Sequence, residues 1–217
     1  MSAVKGCGLV IRQVNVGESD RIITLFLKGY GVAAVSAKGA RKPRSRFLAG
    51  TEVFTYGDFV LFDGGTFLSL NEVSIIEPFY RLREDLDALS AAAYILDICC
   101  RALPEAYPCD DVLLLAVKAL QALSAPDPVC GQICCVFELK FLQLSGYLPG
   151  TDQAAPGAGG GPDRDFERAM KYITQSEIRD VFKFTCGEPL RRALDAAAYA
   201  LMESHFDYLL KKRPASQ

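Results

Sequence analysis

A change of hydrophobic period near Pro78 constrains the fold of this 217-residue chain more than any other sequence feature. Before Pro78, short runs of β-branched and aromatic residues are separated by glycine-containing turns, a pattern typical of β-strands. After Pro78, apolar residues recur every three to four positions, as on one face of an amphipathic helix. The sequence therefore predicts an α+β fold, with a β-domain over residues 1–79 and an all-helical domain over residues 80–217.

Five runs in the β-domain predict five short strands, over residues 8–16, 20–28, 31–37, 52–62 and 66–76. The last two runs are separated by Asp63-Gly64-Gly65, which favours a hairpin turn. Five short strands in so small a domain favour a barrel of the oligonucleotide-binding (OB) type, with an SH3-like barrel as the alternative.

Apolar stripes in the second domain predict four helices. The first bears Leu86, Leu89, Ala93, Leu96 and Cys100, and the last starts near Pro189 and bears Leu190, Leu194, Ala197, Leu201 and Tyr208. We expect the second to be capped by Asp110 or Asp111, and the third, over residues 129–145, to end at a left-handed Gly146. Residues 149–164 contain Gly-Ala-Gly-Gly-Gly and no aliphatic side chain larger than alanine, which predicts a flexible surface loop.

Composition limits the possible functions. The net charge of −2 and the pI near 5.5 argue against a protein that coats nucleic acid through overall charge, so a nucleic-acid surface must be a local patch. Because the sequence shows neither an apolar run of membrane-spanning length nor a secretory signal, we expect a cytoplasmic protein without membrane contact. The eight cysteines contain no Cys-x-x-Cys pair, which favours reduced thiols and no metal site.

The stretch most informative about function is Ala37-Lys38-Gly39-Ala40-Arg41-Lys42-Pro43-Arg44-Ser45-Arg46. It places five cations within nine residues, between the third and fourth predicted strands, and we expect no acidic residue nearby to neutralise them. Clustered like charges raise the free energy of a loop unless a polyanion neutralises them, and guanidinium groups form paired hydrogen bonds with phosphate oxygens. A merely solvated charge run is the alternative. On an OB-type barrel in an acidic protein, the stretch favours nucleic-acid binding.

Other side chains are less informative. Base-stacking aromatics are sought among Phe54, Tyr56, Phe59, Phe62 and Phe67, with Phe54 and Tyr56 expected on one face of the fourth strand, although most such aromatics belong to a core. His205 is the single histidine, and the glycines at 157–161 lack the Gly-Lys-Ser/Thr ending of a phosphate loop. The sequence therefore predicts no catalytic residue and a protein that is not an enzyme.

Several segments together resemble the RecO family of bacterial DNA repair proteins. They are Gly8-Leu9-Val10-Ile11-Arg12, then Gly17-Glu18-Ser19-Asp20-Arg21-Ile22-Ile23-Thr24-Leu25-Phe26, Gly31, and the basic stretch. Residues 76–86 (Ile-Glu-Pro-Phe-Tyr-Arg-Leu-Arg-Glu-Asp-Leu) and 137–149 (Phe-Glu-Leu-Lys-Phe-Leu-Gln-Leu-Ser-Gly-Tyr-Leu-Pro) extend the resemblance into the helical domain. The segments follow the family's order and cover nearly the whole chain.

The resemblance implies an OB barrel that binds single- and double-stranded DNA, anneals complementary strands and acts at the bacterial nucleoid. It also implies a partnership with RecR that helps RecA displace single-strand-binding protein from DNA. The DNA contacts that it carries over are Arg12, Arg21, Lys38, Arg41, Lys42, Arg44 and Arg46.

The resemblance further implies that the helical domain recognises the acidic C-terminal tail of single-strand-binding protein. An acidic amphipathic peptide needs an apolar groove with a cationic rim. Lys140 with Phe141, or Arg191 with Arg192, are the candidate residues, and ordinary helix surface and core is the alternative for both pairs.

One departure from the family concerns zinc. Many members carry a four-cysteine zinc module after the Gly-Tyr-x-Pro segment, whereas residues 150–163 contain no cysteine, so we expect no zinc and no cofactor. Two alternatives to the DNA-binding hypothesis are an adaptor whose barrel does not bind DNA and a nuclease. Asp58, Asp63 and Glu72 do not form a persuasive magnesium-binding set for the latter.

Overall fold

The structure, a computed structural model, describes residues 3–63, 67–148, 164–210 and 213. Its N-terminal strands close into a barrel in the order β1-β2-β3-β5-β4. All neighbouring strands pair antiparallel except β3 and β5, which pair in parallel at Val35 and Leu68. The strands are β1 (Ala3–Val16), β2 (Asp20–Leu27), β3 (Gly31–Ala37), β4 (Tyr56–Asp63) and β5 (Leu68–Glu77). The α+β fold with an OB-like barrel is thus confirmed, and the predicted turn at residues 64 and 65 lies outside the described residues.

The barrel core follows from alternation along the strands. Successive side chains of a strand point to opposite faces, so Ile23, Leu25 and Leu27 of β2 all enter the interior. Burial of each such side chain contributes about 1.5–3 kcal/mol. The inward residues fix the register and thereby decide which side chains remain outside. The buried cluster consists of Val10, Ile23, Leu25, Leu27, Val35, Ala37, Ala40, Phe59, Leu61 and Leu70.

The connection between β3 and β4 spans residues 38–55 and returns along β1. The Phe54 N–H donates to the Val10 carbonyl at 3.0 Å, and the Val10 N–H donates to the Thr55 carbonyl at 2.9 Å. Phe54 has a left-handed φ of 74° and is buried. The expectation that Phe54 and Tyr56 share a strand face was therefore wrong, because β4 begins only at Tyr56.

The chain divides into two compact units, one of Met1–Glu84 with Leu96–Leu113 and one of Asp85–Ile95 with Leu114–Gln217. The first unit comprises the barrel, a short 3-10 helix (Tyr80–Arg83), the end of α1 (Leu86–Ala102) and the start of α2 (Asp110–Leu123). The predicted boundary between residues 79 and 80 stays a prediction.

Within the first unit, residues 96–113 contact the barrel at the backbone of two glycines, Gly31 and Gly29. A side chain at Gly31 would place its Cβ 2.2 Å from the Tyr107 carbonyl oxygen, so only glycine allows this approach. The Gly29 N–H donates to the Asp110 carboxylate at 2.7 Å. Helix α2 begins at Asp110, but its first turn starts from the Cys109 carbonyl, which accepts the Leu113 N–H at 3.1 Å. The expected capping of this helix by an aspartate was therefore wrong.

The second unit brings together α3 (Cys130–Leu144), α4 (Arg164–Gln175) and α5 (Glu188–Leu210), which contact one another. The four predicted helices are present, and Gly146 has the expected left-handed φ of 78°. Helix α4 was not predicted from the sequence. Of the loop predicted over residues 149–164, residues 149–163 lie outside the described residues and Arg164 is the first residue of α4.

The buried helix faces differ from the predicted stripes. Leu86 of α1 is 80% exposed, whereas the small residues Ala88, Ala91 and Ala92 are buried. Of the stripe predicted for α5, Leu194 is buried as expected, and the rest of the buried face is formed by Ala198, Met202, Phe206 and Leu209. No helix within the described ranges combines the length and the apolar character that crossing a membrane requires.

Candidate nucleic-acid interface

The cationic loop, residues 38–46, is a series of tight turns that follows β3. The Lys42 N–H donates to the Gly39 carbonyl at 3.2 Å, and the Ser45 N–H donates to the Lys42 carbonyl at 2.9 Å. No strand neighbour covers these turns, so the cationic side chains extend outward, whereas Ala40 enters the barrel core. Lys38, Lys42, Arg44 and Arg46 are accordingly exposed, and Arg41 is half-buried.

The turn between β1 and β2 holds this loop in place. The Arg41 N–H donates to the Ser19 carbonyl at 2.9 Å, and the Arg41 guanidinium donates to the Gly17 carbonyl at 3.0 Å. The Gly39 N–H donates to the Asp20 carboxylate at 2.8 Å. The Gly-Glu-Ser-Asp-Arg segment and the basic stretch, distant in sequence, therefore form one local structure.

Asp20 corrects the expectation that no acid lies near the loop. Pairing of β2 with β3 brings its carboxylate beside the loop, where it also accepts the Ser19 hydroxyl at 3.0 Å. The Gly39 N–H, the Ser19 hydroxyl and the charges of Lys38 and Lys42 lower the pKa of this carboxyl below its ordinary value. Asp20 thus carries a negative charge next to the cations at neutral pH, and its main contact is with the backbone.

The guanidinium of Arg46 lies 4.7 Å from the centroid of the Phe47 ring and donates to the Asn71 carbonyl at 2.8 Å. These contacts hold the exposed Arg46 side chain in place, so it loses less conformational entropy when it binds a ligand. Across the part of the chain that the structure describes, none of the five loop cations forms an ion pair with a carboxylate. The loop therefore offers its positive charge to solvent.

The two remaining arginines of the predicted set have different surroundings. Arg12 is exposed on β1, next to a β-bulge between Val10 and Arg12. Arg21 is only 6% exposed, and its Nη1 donates to the Thr51 hydroxyl and the Glu52 carboxylate, each at 2.9 Å. Its geometry favours a structural role for Arg21, in fastening the β3–β4 connection to β2. Contact of either residue with DNA stays a prediction.

The aromatic candidates are dispersed. Phe59 lies in the barrel core, Tyr56 and Phe62 are half-buried, and Phe67 is 40% exposed. Two residues outside the predicted set lie together. Tyr80 is 57% exposed, and the Arg83 guanidinium lies 5.5 Å from the Tyr80 ring centroid. A tyrosine and an arginine three residues apart in one turn could have indicated this pair.

The helical candidates for a peptide-binding site also separate. Phe141 is 1% exposed, and Lys140 is 4% exposed with its Nζ donating to the carbonyls of Thr174 at 2.7 Å and Ser176 at 3.0 Å. Neither side chain is presented to a partner, because both are enclosed by their own unit. Arg191 is half-buried, and Arg192 is exposed and pairs with Glu188 one turn earlier.

Metal ligation was also expected to be absent. Among residues 3–63, 67–148, 164–210 and 213, no group of three His, Cys, Asp or Glu side chains is arranged to hold a metal ion. Residues 150–163, where related proteins were expected to carry a zinc module, lie outside the described residues.

Comparison with protein families gives matches to both halves of the chain. The family profile described as "Recombination protein O N terminal" matches residues 1–79, and the profile described as "Recombination protein O C terminal" matches residues 83–202.

Curated proteins named "DNA repair protein RecO" are similar to most of this chain. The protein of Acetivibrio thermocellus is 42% identical over 149 residues, which are 69% of this chain and 59% of that protein. That of Alkaliphilus metalliredigens is 36% identical over 67% of this chain and 59% of its own length. That of Rubrobacter xylanophilus is 35% identical over 75% of this chain and 65% of its own length. The chain therefore spans less than two thirds of the length of these relatives.

Proposed function

The chain belongs to the RecO family of DNA repair and recombination proteins, and we propose that it is a recombination mediator that binds single- and double-stranded DNA and anneals complementary strands. The observation that carries this proposal is the cationic loop on an OB-like barrel, with five cations that form no ion pair with the described residues. In a chain of net charge −2, such a cluster supports local neutralisation of phosphates.

The mechanism is physical and requires no catalytic group. Two DNA strands repel one another through their phosphates, and a cation cluster that contacts both reduces this repulsion. Base pairing then supplies the free energy of annealing. The anchoring of the loop by Gly17, Ser19 and Asp20 supports this mechanism, because a held loop loses less conformational entropy when it binds.

Family membership supports the further proposal that the protein acts with RecR to help RecA replace single-strand-binding protein on DNA. For the acidic tail of that binding protein, we assign the cationic rim to Arg191 and Arg192, because Lys140 and Phe141 are buried. Titration of a fluorescent acidic-tail peptide onto the full chain, with and without R191A/R192A, tests this assignment. Equal binding by both proteins would remove these two arginines from it.

Salt-dependent binding of single-stranded oligonucleotides tests the role of the cationic loop. With about three to five phosphate contacts, log affinity falls with log salt concentration at a slope of about −2 to −4. Replacing Arg41, Lys42, Arg44 and Arg46 by alanine flattens the slope by about 2 to 3, because about three to four counterion-releasing contacts are lost. Fluorescence anisotropy at several salt concentrations measures it.

A matched control changes four exposed cations of the second unit, Arg164, Arg168, Lys171 and Arg179, to alanine. Both quadruple variants have a formal net charge of −6, which is −2 less four positive charges. The control variant keeps the wild-type slope if binding depends on the loop. Equal slopes in the two variants would refute the assignment, and a wild-type protein that binds no DNA would favour an adaptor instead.

A strand-annealing assay then tests the activity itself. Complementary oligonucleotides coated with single-strand-binding protein anneal faster with the wild-type chain than with the loop variant. Annealing at the uncatalysed rate in the presence of wild-type protein that binds DNA would contradict the mediator function.

A further inference from the structure

We propose that Tyr80 and Arg83 form a platform on which an unpaired base of bound DNA stacks, an inference that rests on the proposed DNA-binding function. The platform lies in the 3-10 helix Tyr80–Arg83, directly after β5 in the first unit. Neither Tyr80 nor Arg83 belongs to the cationic loop or to the residues that the sequence predicted to contact DNA. The ligand class of the platform is a nucleobase, and the platform adds base contacts to an interface otherwise made of phosphate contacts.

The geometry of the platform is that of a layered stack with an open outer surface. The Arg83 guanidinium lies 5.5 Å from the centroid of the Tyr80 ring and 5.8 Å from that of Phe54. Its Nη2 also donates to the Val53 carbonyl at 3.2 Å, which fixes the orientation of the guanidinium plane. Phe54 is 6% exposed and forms the inner layer, whereas Tyr80 is 57% exposed. A large aromatic ring is thus held in place without being buried.

The backbone around the platform has two unusual residues. Phe54 and Phe79 have left-handed φ values of 74° and 49°, which bulky residues rarely adopt. Such conformations persist where the surrounding structure enforces them, and they concentrate at binding sites. At Phe79, the N–H donates to the Glu77 carboxylate at 3.0 Å and the ring is 2% exposed, so this turn directs Phe79 inward while Tyr80 remains outside.

The platform and the cationic loop are connected along β1. Phe54 is hydrogen-bonded to Val10 on this strand, and the loop is hydrogen-bonded to Gly17 just after the strand ends at Val16. At about 3.3 Å per residue, the path from Val10 to Val16 measures about 20 Å, and the exposed Arg12 lies on it. This length is compatible with several nucleotides, within the site size of an OB barrel.

The chemistry of the pair suits a base better than a phosphate. The faces of nucleobases stack on aromatic rings and on guanidinium planes, and each such contact contributes to affinity without strong preference for sequence. Double-stranded DNA keeps its bases within its own stack, so the platform favours single strands. This selectivity distinguishes it from the cationic loop, which contacts phosphates of either form.

Binding of a labelled oligothymidylate and of an abasic strand of equal length tests the platform with the full chain. Tyr80→Ala weakens binding of the oligothymidylate at least about fivefold. The difference between wild type and Tyr80→Ala disappears on the abasic strand, which has no base to stack. The salt dependence on oligothymidylate stays the same, because no phosphate contact is removed.

Three further variants complete the design. Tyr80→Phe rescues the loss seen with Tyr80→Ala, because the ring is retained. Arg83→Lys keeps the charge but removes the planar group, and so also weakens oligothymidylate binding. Arg81→Ala removes an exposed cation from the same turn and is the matched control, with similar small effects on both strands.

Each outcome bears on one hypothesis. If the wild-type protein binds neither the oligothymidylate nor the abasic strand, the proposed function as a whole is contradicted. If the wild-type protein binds oligothymidylate and Tyr80→Ala binds it equally well, the platform alone is overturned. An equal loss on both strands also overturns it, because a general defect of the fold does not distinguish bases from phosphates.

Discussion

Arg213 is enclosed by two carboxylates of the second unit, those of Glu138 and Asp195. Removal of the Arg213 side chain is expected to destabilise that unit by an amount that depends on pH. The Arg213 Nε and Nη2 donate to the two oxygens of Glu138 at 2.8 and 2.7 Å. Its Nη2 and Nη1 donate to the two oxygens of Asp195 at 2.7 and 3.3 Å. The Glu138 side chain is 0% exposed and that of Arg213 is 10% exposed. The Tyr94 hydroxyl donates a further hydrogen bond to Glu138 at 2.6 Å.

Arg213→Ala leaves Glu138 with a buried charge and only the Tyr94 hydroxyl among these donors. Removing one partner of a buried ion pair costs about 3–5 kcal/mol, because the remaining charge has lost its compensation. We expect a decrease of this size in the free energy of unfolding at about pH 8. Glu138→Gln in the Arg213→Ala background removes that charge and is expected to recover about 1–3 kcal/mol.

The dependence on pH follows from Glu138. Burial raises the pKa of this carboxyl above its ordinary value of 4.5, while Arg213 and then Tyr94 lower it. A raised pKa means that the folded protein takes up the proton more readily than the unfolded chain. The resulting stabilisation is present below about pH 4.5 and is lost as the pH rises through the folded-state pKa. Arg213→Ala raises the pKa of Glu138 further, because the positive charge beside it is lost. The free energy of unfolding of this variant therefore falls further below that of the wild type as the pH increases.

Urea denaturation followed by circular dichroism, at about pH 5.5 and about pH 8, measures both effects. Arg213→Lys is the control that keeps the charge but not the paired hydrogen bonds, and it should lie between wild type and Arg213→Ala. A deficit that is equal at the two pH values would refute the role of Glu138. If Arg213→Ala were as stable as the wild type at both pH values, the proposed contribution of the enclosed ion pair to stability would be refuted.

Two further predictions concern the barrel. Arg21→Ala is expected to lower the free energy of unfolding by about 1–3 kcal/mol, because the buried hydrogen bonds of Arg21 are lost. The salt dependence of DNA binding is expected to stay unchanged. A slope of log affinity against log salt that is flatter by about 0.7 would instead make Arg21 a phosphate ligand. Asp20→Asn is expected to strengthen binding of single strands about twofold in anisotropy titrations, because the negative charge beside the cations is lost while the amide oxygen still accepts the Gly39 N–H. Weaker binding by Asp20→Asn would show that the charge is needed to order the loop.

Local sequence patterns were sufficient to predict those features that depend on residues close together in the chain. Period-two alternation places Ile23, Leu25 and Leu27 in the barrel, and Gly146 ends α3, because strand alternation and the left-handed preference of glycine act within a few residues. Helix faces were less predictable. Leu86 is more apolar than Ala88 but is exposed, because the face that is buried depends on what the helix packs against. Helix α4 was not predicted, although Phe166, Ala169, Met170 and Ile173 recur at helical spacing and the signal was therefore present in the sequence.

The candidate site shows the same division. Five closely spaced cations are visible in the sequence, since charge density along a chain needs no partner to be read. That Asp20 adjoins these cations, and that Arg21 is enclosed by Thr51 and Glu52, follows from strand pairing between residues distant in the chain. The stack of Arg83 between Phe54 and Tyr80 likewise joins the end of one connection to the turn after the last strand.

The sequence by itself determined the class of fold, the five strands of the barrel and the presence of a cation cluster, because these depend on periodicity, turn residues and local charge density. Tertiary structure alone decided which of those cations face solvent, which arginine is buried and which aromatic ring remains exposed beside a guanidinium. The physical reason is that burial and hydrogen-bond partnership are properties of pairs of residues. Those pairs form only when strands and turns from separate parts of the chain are packed together.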